Sequence, residues 1–557
     1  MAFFRAYKAN ANELKVPTYF IESTAPDNVD DTGFVDPVKE IPERLRKYLD
    51  YVENADDAVK EIAGYLATGK NPNLVVMVHG YNNPEPAVLE MYAQAALAVE
   101  AAGIQGGDGL VCVGYRWPSE KMFQPRRSWW SALPLLPRWI VVVGLVAFLL
   151  AALFFCWIAG SIGHVFLLLG IVLTGLIGMA VLLRLIVYFR DNYRAANYGV
   201  PDLIHIIRAI HDEIKEQRSA PGVTDDPDRQ VDLSFVGHSM GGFVVTNTIR
   251  TLTDVFKTRV AGLSDFGAAA PKPVENLHQI GDFFELKRFV LVSPDIPAET
   301  LLSDRGNFLA SALTRFHEAY LFSNEGDEVL RQISTLANYF TFPTMSNNHG
   351  FRLGNVEILS SDFGLIEPPQ DQFLDTLRVG DLTLRELDRK LRSFRASREA
   401  ARQRTEAHLL ERAELHPHER KKPPLPEVFT YFDCTDYDDV DNTGVKRPLL
   451  TFAKCEKRHD PKAKLSFPAH LQLLWAYLTT PLRPNVHGGY FEGQLSQQLI
   501  YRLACLGFGG TVKAYSPTHD PHDRVALGNA CKDKQIRVLL SPQLSEPQSA
   551  PASAAKL

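Results

Sequence analysis

The chain has 557 residues and a net charge of −6, enough for one large domain with insertions or for two or three smaller ones. The acidic balance argues against a nucleic-acid partner. Six scattered cysteines (Cys112, Cys156, Cys434, Cys455, Cys505 and Cys531) contain no C-x-x-C pair, which excludes a disulfide framework and a cysteine zinc site.

Apolar runs of strand length alternate with helical patterns along the chain. The strands are expected at Leu74–Val78, Leu110–Tyr115, Leu233–Val236, Phe289–Val292, Ala319–Phe322 and Val428–Phe432. Helical patterns fall near Pro86–Ala101, Pro201–Lys215, Gly242–Thr253, Asp327–Tyr339 and Gly493–Ala504. This alternation predicts an α/β protein with a mostly parallel, doubly wound sheet. An early strand near Thr18–Ser23 is expected at the sheet edge, and the N-terminus lacks the apolar core of a signal peptide.

Two segments break the soluble pattern. Ile140–Gly160 and Val165–Leu183 carry no charged residue, and each reaches about 30 Å as a helix, the thickness of a bilayer core. Gly170, Thr174 and Gly178 recur every fourth position, and Trp129, Trp130, Trp139 and Tyr188 flank the pair as interfacial aromatics do. Lys121, Arg126, Arg127 and Arg138 precede the pair, while Arg184, Arg190 and Arg194 follow it. The turn Ser161–His164 has neither lysine nor arginine. The pattern predicts a transmembrane hairpin with both soluble portions in the cytoplasm, hence a multi-pass protein of the inner membrane.

The expected organisation is a first part of the main domain over 1–120 and a hairpin insertion over 121–194, with helices at about 140–160 and 165–187. A central part over 195–377, a charged helical linker over 378–425, a last strand and helix over 426–515 and a tail over 516–557 follow. Residues 381–425 are rich in arginine and read as a solvated helix and linker, and the Ser/Pro/Ala-rich end reads as disordered. An acidic echo, 27–33 against 438–444, lacks the spacing of a calcium loop and reads as a pair of solvated turns. No metal and no cofactor is implied.

The chemistry centres on Gly237-His238-Ser239-Met240-Gly241, which lies between an apolar strand and an apolar helix. A serine on such a sharp turn projects its hydroxyl from the sheet edge, and the flanking glycines let strand and helix crowd together. Ser239 as nucleophile needs a base, an acid to orient that base, and oxyanion donors. The backbone N–H of Met240 is one expected donor. The other is the Tyr81 N–H, on the loop His79-Gly80-Tyr81-Asn82-Asn83 that follows Leu74–Val78. His79 reads as a structural brace of that loop.

The segments VMVHGYNN, YRWPS, FVGHSMGG, LVSPDIP, FSNEGDEVL and NVHGGYF occur in this order. Together they resemble a bacterial α/β-hydrolase family of unknown function, over roughly residues 70–120, 195–360 and 426–510. The resemblance implies the α/β-hydrolase fold and a triad in the order Ser, Asp, His. By position the acid is Asp327 after Ala319–Phe322, preferred to Asp295 one strand earlier, and the base is His487, with His349 as fallback. The implied activity is a membrane-anchored serine hydrolase, esterase- or lipase-like, acting on a lipid or small-molecule ester. Because the hairpin follows Trp117-Pro118-Ser119 on the strand edge that carries the catalytic loops, Ser239 is expected to face the membrane. The competing reading is a catalytically idle, membrane-tethered scaffold that keeps the fold.

Overall fold

The computed structural model describes residues 3–9, 14–25, 48–104, 109–120, 184–219, 229–252, 284–297, 315–337, 352–355, 429–441, 443–452, 465–479 and 485–540. It also describes the isolated positions 43, 46, 139, 142, 143, 146, 150 and 154. The strands are β1 Phe4–Ala9, β2 Thr18–Ser23, β3 Leu49–Val52, β4 Asn73–Val78, β5 Leu110–Arg116 and β6 Val231–His238, then β7 Phe284–Val292, β8 Glu318–Ser323, β9 Phe429–Asp433, β10 Asp438–Val440, β11 Lys446–Pro448 and β12 Arg537–Leu539. The helices are α1 Ala55–Thr68, α2 Glu85–Ala101, α3 Val200–Arg218, α4 Met240–Thr251, α5 Phe467–Thr479, α6 Gln494–Tyr515 and α7 Arg524–Asp533.

Ten strands form one mixed sheet in the order β12-β9-β8-β7-β6-β4-β5-β2-β1-β3. From β9 through β2 every neighbouring pair is parallel, and β12, β1 and β3 join antiparallel. Strand β4 shows why a central strand can be apolar from Leu74 to Val78. Leu74, Val76 and Val78 face the core built with α1, α3 and α4, whereas Val75 and Met77 face the core built with α2, α6 and α7. Alternate side chains of a strand point to opposite faces, so a strand covered on both sides has no polar face to keep.

The six expected central strands are present and parallel. β2 is not at the edge: it pairs with β5 on one side and β1 on the other, because β1 and β3 extend the sheet beyond it. Helix α1 was not expected from the pattern; it starts at Asn54, whose side chain accepts from the Asp56 N–H, and buries Ala58, Val59, Ile62, Ala63 and Leu66. The segment read as a tail carries α7 and β12, with β12 completing the sheet on β9. Residues 541–557 and the charged stretch 381–425 lie outside the described residues.

The second acidic echo is not a solvated turn. Asp439 and Asp441 are buried. Asp439 accepts from Tyr437 Oη and the Leu495 N–H, and Asp441 accepts from Thr443 and pairs with Arg447. These bonds tie the β10–β11 hairpin to the start of α6. The first echo, 27–33, lies outside the described residues.

Among the described residues no helix is long and apolar enough to cross a membrane. This overturns the expected multi-pass inner-membrane placement, and with it the membrane-facing orientation inferred for Ser239. Most of 140–160 and 165–187 lies outside the described residues. The close of the second expected span is instead part of the protein core. Residues 184–194 are helical, and Leu185 and Tyr188 are buried in the cluster that contains α1, α3 and α4. Side chains committed to a protein core cannot also face lipid.

Candidate active site

The carboxyl ends of the parallel strands lie along one edge, and the register keeps them level: Val78 is opposite Gly237, His238 opposite Val292, and Val292 opposite Phe322. The segments that follow β4, β6, β7 and β8 therefore converge. In open α/β sheets this edge is where ligands bind.

Strand β6 passes into α4 through Ser239, whose backbone is at φ 54°, ψ −125°. A non-glycine residue in that region is strained and is held there by its surroundings. The Ser239 N–H donates to the Val292 carbonyl, and the Ser239 carbonyl accepts from Gly242 and Asp295, each at 3.0 Å. Close approach explains the glycines. A Cβ on Gly237 would lie 2.7 Å from the Gly242 Cα, and one on Gly241 would lie 2.2 Å from the Val78 carbonyl oxygen. Met240 opens α4, so its N–H is one of the helix's first four and has no intrahelical acceptor.

The loop after β4 abuts the serine. A Cβ on Gly80 would sit 2.7 Å from Ser239 Cβ and 3.2 Å from its Oγ. His79 is fully buried and stacks on Trp117 with ring centroids 5.2 Å apart, and Trp117 Nε1 donates back to the His79 carbonyl at 2.8 Å. Burial, followed by the charge of Arg116, pushes its pKa down to about 3, so it stays neutral. His79 is the brace expected from the sequence. Beyond it, Asp191 Oδ2 accepts from the Asn82 N–H and from Ser119 Oγ, each at 2.8 Å, and the Asn83 N–H donates to Ser119 Oγ. The W-P-S motif thus holds this loop from two sides, and Asp191, which no motif marked, is its anchor.

His487 and Asp327 come together across 160 residues of sequence. His487 Nδ1 donates to Asp327 Oδ2 at 2.7 Å. Asp327 is held at the turn after β8. Its Oδ1 accepts from the Leu330 N–H, and its own N–H donates to the Asn324 carbonyl. The His487 loop is pinned by Asn324 Nδ2, which donates to the Val486 carbonyl at 2.8 Å, and by His238 Nε2, which donates to the His487 carbonyl at 3.1 Å. Burial and the charge of His487 lower the His238 pKa to about 3. The His238 and His487 rings are 5.0 Å apart, which places His487 beside the residue next to Ser239.

For His487, burial pushes the pKa down, but the charge of Asp327, their hydrogen bond and the charge of Asp295 outweigh it, and the pKa lies above the ordinary value of 6.5. Ser239 Oγ and His487 Nε2 are both buried and without a hydrogen-bond partner among the described residues. An acceptor nitrogen and a hydroxyl left unpaired at one edge can exchange a proton once a substrate brings them into line.

Asp295 is engaged elsewhere. Its Oδ1 lies 3.1 Å from Arg352 Nε and its Oδ2 accepts from Ser334 Oγ at 3.0 Å. Arg352 Nη2 donates to the Ser334 carbonyl and to Tyr188 Oη. Tyr188 meets Tyr81 edge to face, and Tyr81 lies 6.4 Å from the His487 ring, so Arg352 shapes the aromatic wall of the site. His349 lies outside the described residues. Sequence reasoning missed Ser293, which directly follows β7 and whose Oγ donates to Asp327 Oδ2 at 2.5 Å. The L-V-S-P-D-I segment was read only for its aspartate. No family model, curated protein or solved structure matches the chain.

Proposed function

We propose that this chain is a serine hydrolase of the α/β-hydrolase fold, cleaving an ester or acyl bond with Ser239 as nucleophile, His487 as base and Asp327 as the acid that orients it. The observation that carries this reading is the 2.7 Å bond between His487 Nδ1 and Asp327 Oδ2 at the strand edge that also presents the strained Ser239. The bond fixes the tautomer: with its proton on Nδ1, neutral His487 has its lone pair on Nε2.

In the reaction, His487 Nε2 takes the hydroxyl proton as Ser239 Oγ bonds to the carbonyl carbon. Negative charge moves to the carbonyl oxygen, and the N–H groups of Met240 and Tyr81 are the donors assigned to receive it. The tetrahedral species expels the alcohol, which takes the proton from His487 and leaves an acyl-serine. Water, deprotonated by the same imidazole, then releases the acid. The Tyr81, Tyr188 and Phe491 rings near His487 and His238 favour a substrate with an apolar acyl or alcohol group.

A fluorophosphonate probe forms a stable bond only to an activated serine. The wild type should be labelled and Ser239→Ala should not, with hydrolysis of a p-nitrophenyl ester falling by about 10⁴-fold or more. A wild type that resists the probe, as an idle scaffold would, or a mutant that retains turnover, refutes the reading.

A further inference from the structure

Ser293 occupies a position that suits it poorly. Its backbone lies at φ 44°, and it precedes Pro294, which narrows its choices further. Only glycine enters positive φ without steric cost. The residue is fully buried, and its backbone is closed in: its N–H donates to the Phe322 carbonyl, and a Cβ on Gly354 would lie 2.5 Å from its carbonyl carbon. A chain that needed only this backbone path would be served better by glycine. The side chain therefore has to account for the serine.

The hydroxyl lies in the one contact that matters most to the proposed chemistry. Ser293 Oγ is 2.5 Å from Asp327 Oδ2 and 3.4 Å from His487 Nδ1, while His487 Nδ1 is 2.7 Å from the same Asp327 Oδ2. The three atoms close a triangle. Two donors converge on one carboxylate oxygen, and the Leu330 N–H takes the other. The preceding residue, Val292, holds the Ser239 N–H through its carbonyl. The strand end that positions the nucleophile thus also positions the acid.

We propose that Ser293 is a positioning residue of this site, its hydroxyl clamping Asp327 Oδ2 against His487 so that carboxylate and imidazole keep one mutual orientation. The inference rests on the reading of Asp327 and His487 as the acid–base pair. The strained strand end is where the hydroxyl meets Oδ2, and strain held at such a point is part of how a site is positioned. The clamp also draws off part of the negative charge on Oδ2. Removing it exposes His487 to more of that charge, which favours the imidazolium. The other titratable groups around His487 are Asp295, whose charge also raises the His487 pKa, His238, which stays neutral, Tyr81, and Tyr490, which interacts with the Ser293 hydroxyl itself. Neither variant changes Asp295, His238 or Tyr81, and loss of the Tyr490 contact is common to Ser293→Ala and Ser293→Gly.

The test compares Ser293→Ala with Ser293→Gly in the full chain. The His487 titration is followed by NMR of histidine Cε1, with its signal assigned by loss in His487→Gln. Fluorophosphonate labelling rates are measured alongside. Both variants should titrate higher than the wild type by about half a pH unit or more, and both should label about tenfold more slowly near neutral pH. Ser293→Gly loses the same hydroxyl but relieves the positive-φ strain that Ser293→Ala keeps, so it should melt above Ser293→Ala and remains informative if that variant folds poorly. An unchanged titration in both variants overturns the proposal. So does recovery of wild-type titration and labelling in Ser293→Gly, because the backbone alone would then have mattered. A wild type that is never labelled refutes the hydrolase reading instead, and the NMR titration still decides the Ser293 contact.

Discussion

Asp295 and Asp327 are both buried carboxylates at the same sheet edge, yet their removal should have opposite consequences. Asp295 is paired with Arg352, and the two side chains are 0% and 4% exposed. Asp295→Asn keeps the shape and deletes the charge, so the Arg352 guanidinium is left in the interior without its counter-ion. Breaking a buried pair from one side costs about 3–5 kcal/mol, far more than the pair itself contributes. Asp327→Asn leaves no buried cation unpaired: the amide oxygen can still accept from the Leu330 N–H, and the Ser293 hydroxyl and neutral His487 can turn to accept from the amide NH2, so about 1–3 kcal/mol is the expected loss. Its effect on rate should be large. An amide facing His487 Nδ1 no longer selects the tautomer with its proton there, a change worth on the order of 10⁴-fold in comparable triads. The assay is urea denaturation beside fluorophosphonate labelling, carried out at a temperature where every variant is folded. Asp295→Asn should unfold at markedly lower urea yet keep labelling within about tenfold of wild type; adding Arg352→Met should restore most of the stability. Asp327→Asn should unfold closer to wild type than Asp295→Asn does and fail to label. If Asp295→Asn keeps wild-type stability and loses labelling, the acid is Asp295 and the assignment of Asp327 is wrong.

Two further outcomes follow from the geometry. Only neutral His487 can accept the serine proton, and its pKa is raised, so kcat/KM should fall below a midpoint above pH 6.5, with a slope of one, as pH decreases. His79 and His238, both held near 3, do not titrate in this window, so a second step or a flat profile between about pH 5 and about pH 8 contradicts the assignment of the base. Gly80→Ala places a methyl 2.7 Å from Ser239 Cβ and must displace either the loop or the nucleophile. Activity should drop by about 10²-fold while circular dichroism is unchanged, and wild-type turnover in this variant would show that the Tyr81 loop takes no part.

The central sheet was legible because burial on both faces writes a nearly uninterrupted apolar run, as in Leu74–Val78 and Phe289–Val292. Ser239, Asp327 and His487 were legible because each follows, or lies near, a glycine whose spacing marks a turn. The edge strands were harder: β12 is three residues long and β3 four, too short for any period to show. The membrane reading failed for a related reason. Hydropathy counts apolar residues but does not say what covers them, and Leu185 and Tyr188 are covered by protein. Least legible were the residues that act through others. Ser119, Asp191, Ser293 and Arg352 carry no spacing rule of their own, since each is defined by a partner that the fold delivers: Asn83, Asn82, Asp327 and Asp295 respectively. Such residues become visible only when a buried polar atom must be matched with a donor or acceptor. That accounting separates the two aspartates. Asp295 spends its carboxylate on Arg352 and Ser334, whereas Asp327 spends its own on His487 and on Ser293, whose strand end holds Ser239 through the Val292 carbonyl. The same accounting leaves Ser239 Oγ and His487 Nε2 unmatched among the described residues, on the edge where Met240 opens its helix, so a hydroxyl proton and an imidazole lone pair are both free for the transfer proposed above.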